Sequence, residues 1–208
     1  MTIRGLRWVL LAVCLVVGAP AQAGVVPQAT TAMSPAQARE DLELAIDAVE
    51  AALPNIYWHQ SRRAWTMAKA AARREVAGVT DSEALWRVLR PLLGQIGEGH
   101  MSVEVSAAMR QAYREAPRFP LDLLWTEEGA FVLAGYGEAA AIPKGSRLVS
   151  IDGVTQPDLL RQAVAVTPHD GVIRTGVMRE LTGRGFASVL YRLRGAQPSF
   201  RVGLDGPA

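Results

Sequence analysis

The stretch QIGEGHMSVEV, Gln95 to Val105, closes one periodicity and opens another. Ahead of it, Leu85, Val88, Leu89, Leu92 and Ile96 recur at helical spacing. Within it, Met101, Val103 and Val105 alternate with Ser102 and Glu104, the period of a strand with one buried face. Gly97 and Gly99 stand at the change, since glycine enters left-handed backbone without steric cost and so stops a helix. His100 follows at once, where backbone can approach closely. The stretch thus divides the chain into helices before and strands after. That predicts an α+β class, with an N-terminal helical cap followed by a small β-rich domain.

Towards the N-terminus the helical reading is well marked. Ser34-Pro35-Ala36-Gln37 is a capping box with proline at the first helical position, and Leu42, Ile46, Val49 and Leu53 lie on one face of the helix it opens. Pro54 ends it. NIYWHQ, Asn55 to Gln60, is an aromatic loop. Its Tyr57 and Trp58, with the other tryptophans, are read as packing of the cap in preference to a recognition surface. Ser61 caps a second helix carrying Trp65, Ala68, Ala72 and Val76 and closed by Gly78, with Arg62, Arg63, Lys69, Arg73 and Arg74 as a solvated basic face. Thr80 to Glu83 reads as the capping box of a third helix, which Pro91 should kink.

After Val105 a short helix spans about 106–114. RFPLDLLWTEEGAFVLAGY then describes a hairpin turning at Thr126-Glu127-Glu128-Gly129. Leu148, Val149 and Ile151 form a buried strand reversed by Asp152-Gly153. QPDLLRQAVAV and VIRTGVMREL read as helices, and Phe186–Arg194 and Ser199–Leu204 as two closing strands. The expected organisation is a cap with its histidine turn at 34–105, a connecting helix at 106–118 and a β-rich domain at 119–204.

The first 23 residues belong to neither part. Arg4 and Arg7 precede an apolar run from Trp8 to Val17 and an Ala21-Gln22-Ala23 site, the pattern of a secretory signal peptide. The run is too short for the roughly 20 residues that span a bilayer, so export without stable membrane insertion is expected, to the periplasm or beyond. Residues 24–33 read as a flexible leader. Losing Arg4 and Arg7 from the chain's 22 bases leaves them balanced against its 20 acids, which argues against a nucleic-acid partner. Cys14, the single cysteine, falls in the leader run, so the exported chain has no disulfide or thiolate metal site. About 185 residues then fold around an ordinary core.

The order of motifs resembles the N-terminal region of the tail-specific, or C-terminal processing, serine peptidases, and in particular their tricorn-like branch. Gly97-Glu98-Gly99-His100-Met101 is similar to the Gly-Asp-Gly-His-Thr turn of that family, with Glu98 for the aspartate and Met101 for the threonine. AAIPKGSRLVSIDGVTQPDLL resembles the family's PDZ-like segment, in which a Pro and Gly turn precedes an Ile-Asp-Gly reversal and a helix. The likeness runs from about Arg39 to Leu204. It implies a helical cap followed by a PDZ-like domain, and a catalytic role for His100 as a base or orienting group.

The family's nucleophilic serine belongs to a further domain, which this sequence does not supply. Ser102, Ser146, Ser150 and Ser188 lie in or beside predicted strands with no evident base, and neither Lys69 nor Lys144 sits where an amine would lose its proton. The expected function is therefore that of an exported, truncated or split front part. It would bind or position a polypeptide substrate, or its C-terminus, by adding it to a sheet edge beside the helix near Pro157 to Val166. Proteolysis would need a catalytic domain on another segment or chain. The rival reading is a stand-alone exported interaction or regulatory protein without chemistry. Neither implies a cofactor. The spacing of His59, His100 and His169 gives no recognisable metal site, and His169 reads as bonded within its own turn.

Overall fold

A computed structural model describes residues 31–207; the expected signal peptide and most of the leader lie outside them. The fold is α+β, with seven α-helices and one five-stranded antiparallel sheet among the described residues. The chain gathers into two units. One comprises 31–115 and 164–177, the other 116–163 and 178–207.

The first unit is the helical cap. Helix α1, Pro35–Ala52, begins with the full capping box at Ser34 and Gln37 and buries Ala38, Leu42 and Ile46. Helix α2, Arg62–Glu75, is capped by Ser61, buries Trp65 and Ala72, and runs into a 3-10 turn over Val76–Gly78. Helix α3, Ser82–Gly94, carries Pro91 inside it. Its cap is Asp81, whose carboxylate accepts from the Ala84 amide, so the box read at Thr80 to Glu83 gives way to a single cap one residue later. Thr80 instead gives its carbonyl to the Met33 amide, and Ala32 bridges Asp81. The end of the expected leader is therefore paired to the start of α3. Leu42, Ile46, Trp65, Val76, Leu92 and Ile96 form one apolar core.

The basic face of α2 is matched by acids on α1. Arg73 makes a two-pronged contact with Glu43 at 2.7 and 2.6 Å. Lys69 Nζ and Trp65 Nε1 both donate to Glu50 Oε1, each at 2.6 Å. These bonds hold both glutamates below the ordinary carboxylate range: for Glu43 the main cause is Arg73, for Glu50 it is Lys69 and then Trp65.

The expected strand at Met101–Val105 does not form. The segment is extended and places Met101 and Val103 on the cap core, so the alternation is genuine. No neighbouring strand completes a ladder, and the indole of Trp86 takes the Val103 carbonyl at 2.8 Å. Helix α4, Ala107–Glu115, follows.

The second unit is built on the sheet. Strands β1, Leu121–Thr126, and β2, Gly129–Gly135, form the hairpin turning at Thr126 and Gly129. Strand β3, Ser146–Ile151, pairs with β2 at Phe131 and Arg147 and reverses through Asp152 and Gly153, both at positive φ, into β4, Val154–Thr155. Helix α5, Gln156–Val166, and helix α6, Thr175–Leu181, come next. Strand β5, Val202–Pro207, lies antiparallel along β3.

Phe186–Arg194, expected as a strand, is instead helix α7, Gly185–Arg194. Its β-favouring Phe, Val and Tyr are outweighed by Ala, Leu and Arg, which favour helix. Phe186, Ala187, Val189, Leu190 and Tyr191 are its buried residues, and Gly195 at φ +73° closes it. Phe186 packs edge-on to Phe119, with centroids 5.6 Å apart, and lies 5.0 Å from Trp125 of β1. Beside α7, Gly183 bridges to Leu123, with N–H to O distances of 2.7 and 3.4 Å, and Thr182 Oγ1 accepts from the Trp125 amide at 3.3 Å. The outer edge of β1 is thus occupied by the chain itself. Among the described residues β5 is bonded only on its β3 side.

Candidate functional site

The histidine turn is made by the way α3 ends. The amides of Ile96 and Gly97 bond back to Leu93 and Gly94, tightening the last turn. Gly97 then turns at φ +69°, and the Met101 amide closes on the Glu98 carbonyl at 3.1 Å. This exposes His100 almost completely, at 94% of its side chain. Among the described residues its ring has one partner, Glu98, whose Oε1 lies 3.0 Å from Nδ1 and also accepts the His100 amide at 3.1 Å. Those two bonds, backbone first, hold the Glu98 carboxyl below its ordinary range against repulsion from Asp170. An ionised Glu98 accepts from Nδ1–H, which leaves the lone pair on Nε2, facing solvent. The longer side chain at this position thereby orients the ring, a task for which Met101 has no hydroxyl.

A second segment of the same unit pins the turn. Gly171 N–H donates to the Gly97 carbonyl at 2.9 Å, and Gly99 N–H donates to Asp170 Oδ1 at 2.8 Å. The approach is so close that a Cβ on Gly99 would stand 2.6 Å from that oxygen. Arg90, 2% exposed on α3, ties the same segment through Nε to the Val166 carbonyl at 3.0 Å. Gly94 permits the contact, because a Cβ there would overlap the Ala165 carbonyl. His59 packs against Gly97 and Gly171. His169 bonds through Nδ1 to the Thr167 carbonyl at 2.9 Å, within its own turn.

Asp170 is the residue that sequence spacing misses. It lies 71 positions beyond Gly99, the partner to which the fold brings it. Histidine spacing did not point to this cluster. The fold instead joins one histidine to two carboxylates, with donor atoms of Glu98, His100 and Asp170 all within 4.8 Å of one another.

Exposed apolar side chains neighbour these loops in sequence. Trp58, next to His59, is 72% exposed, and Val172 and Ile173, next to Gly171, are 90% and 59% exposed. Trp65, Trp86 and Trp125 are core as expected, but Trp58 is not. In the sheet unit a cavity of about 250 Å³ opens between Pro117, Pro120, Leu121, Tyr136, Ile142 and Phe200. Val202 and Leu204 of β5 also line it.

No known family model matches the chain, and no curated protein matches it. Among solved structures the fold matches that of mature CPAF, with a TM-score of 0.53 and 14% identity over 83% of this chain and 32% of that one. A serine-to-alanine mutant of CPAF matches with the same TM-score and coverage at 15% identity. The chain therefore spans about a third of the length of these CPAF chains, and what it shares with that third is the fold.

Proposed function

We propose that this chain is the exported front part of a tail-specific-protease-like protein. It contributes His100 as general base to a site whose nucleophile comes from outside these 208 residues, and it holds the polypeptide to be cut. One observation carries the reading: an imidazole held through Nδ1 by Glu98, with its side chain 94% exposed and, among the described residues, no serine bonded to it. A base held so is competent to take a proton, but has nothing beside it to activate. The exposed Trp58, Val172 and Ile173 around it suit a surface that a further protein segment covers.

The polypeptide-holding role belongs to the sheet unit. The edge of β1 is already filled by Thr182 and Gly183. An extended segment therefore adds at β5 and seats an apolar side chain in the cavity by Leu121, Ile142 and Phe200. The test has two arms. The purified chain should hydrolyse neither casein nor peptides with apolar C-termini and should take up no fluorophosphonate, yet bind such peptides. Turnover with labelling of a serine in this chain would defeat the reading of His100. Peptide binding unaffected by Phe200→Ala and Ile142→Glu would remove the sheet unit from it.

A further inference from the structure

Surface carboxylates gather often without consequence, and two facts set Glu98 and Asp170 apart. Their approach is imposed by backbone, because the bonds from Gly171 to Gly97 and from Gly99 to Asp170 lock the two loops together. Among the described residues, neither is paired with a lysine or arginine. The partners of Glu98 are the amide and ring of His100, and the partner of Asp170 is the Gly99 amide. Two negative groups are therefore held close beside an imidazole, with no fixed cation between them.

We propose that Glu98, His100 and Asp170 bind a divalent transition-metal ion of the zinc class. Two carboxylate oxygens and one imidazole nitrogen form a three-ligand set of the open kind, with water completing the tetrahedron. The imidazole sets the selectivity, since calcium and magnesium take oxygen ligands whereas nitrogen suits zinc and its neighbours. Zinc holds such donors at about 2.0–2.2 Å, which requires them to close in from the 4.8 Å limit they now keep. His100 can make that adjustment, because its side chain is 94% exposed and the one group holding its ring, Glu98, is itself a ligand of the proposed set. Ion binding needs no nucleophile, so this inference stands apart from the proposed role of His100 in hydrolysis. Where both hold, the bound ion takes the ring's lone pair and silences the base.

Titration of the purified protein with zinc chloride, followed by calorimetry, tests it. One ion per chain is expected. Asp170→Asn keeps an oxygen to accept the Gly99 amide, so the loops stay in place while the charged ligand is lost. It and His100→Ala should each weaken zinc at least about tenfold, whereas His169→Ala should leave it unchanged. Zinc should also move the His100 ring nitrogen resonances. The proposal is overturned by three results: no zinc binding, zinc binding indifferent to Asp170→Asn and His100→Ala, or calcium binding as tightly as zinc in every variant, the mark of a generic acidic surface. Thermal melts without metal establish that each variant is folded.

Discussion

A side chain that buries almost nothing contributes almost nothing by its contacts, and His100 is such a side chain. His100→Ala should change unfolding free energy in urea by less than about 0.5 kcal/mol. A loss above about 2 kcal/mol would place the ring among the groups that hold the cap together. Gly99 behaves in the opposite way. Gly99→Ala puts a methyl group against Asp170 Oδ1, so the two loops must part and the Gly171 amide, bonded to Gly97, should exchange with solvent faster. Unchanged exchange at Gly171 would show the loops to be independent. At this scale the sequence made His100 and its glycines visible because they are neighbours. Asp170 stayed hidden because its meeting with Gly99 depends on Arg90 and Gly94 drawing the 164–177 segment onto α3.

Between elements, the close fit of Gly94 to the Ala165 carbonyl sets a clear expectation. Alanine in a helix is favoured over glycine by up to about 1 kcal/mol, yet Gly94→Ala should destabilise by about 1–3 kcal/mol, because the neighbour is backbone that cannot turn aside. A more stable variant would refute the contact. The facing of α1 and α2 makes the cap sensitive to acid. Glu43 and Glu50 are held below the unfolded glutamate value of about 4.3, so the stability they supply is complete above that pH and is lost as pH falls through their lower folded values. Both pairs are partly exposed to solvent, which keeps the loss modest. Denaturation midpoints from pH 6 down to about 3 should fall, and should fall less in a Glu43→Gln, Glu50→Gln variant. The caps, the periodicity of α1 to α3 and the hairpin of β1 and β2 were legible because each is specified by residues within a few positions. Helix α7 was not. Its Phe, Val and Tyr suit a strand in isolation, and its register is decided by the packing of Phe186 on Phe119 and Trp125. Phe186→Ala should cost the sheet unit about 3–5 kcal/mol by denaturant unfolding.

At the scale of the whole molecule, each unit has a core of its own, and each carries part of the proposed function. The cap bears His100, the proposed base; the sheet bears an apolar cavity and, among the described residues, an edge at β5 without a strand partner. The class of fold followed from the change of period at Gln95 to Val105. The unit boundaries did not, because residues 164–177 group with the cap although they follow the first four strands. The placement of the tryptophans has a practical consequence. Trp65 sits in the core of the cap and Trp86 and Trp125 are likewise buried, while Trp58, next to His59, is 72% exposed. In the chain from Gly24 onward, which lacks Trp8, iodide should therefore quench the red-shifted share of the emission selectively, and Trp58→Phe should abolish that share and leave the blue emission of the interior indoles. The protein thus carries its own optical reporter next to His59, which packs on the glycines of the histidine turn, and anything that settles over that loop should shield Trp58 from the quencher.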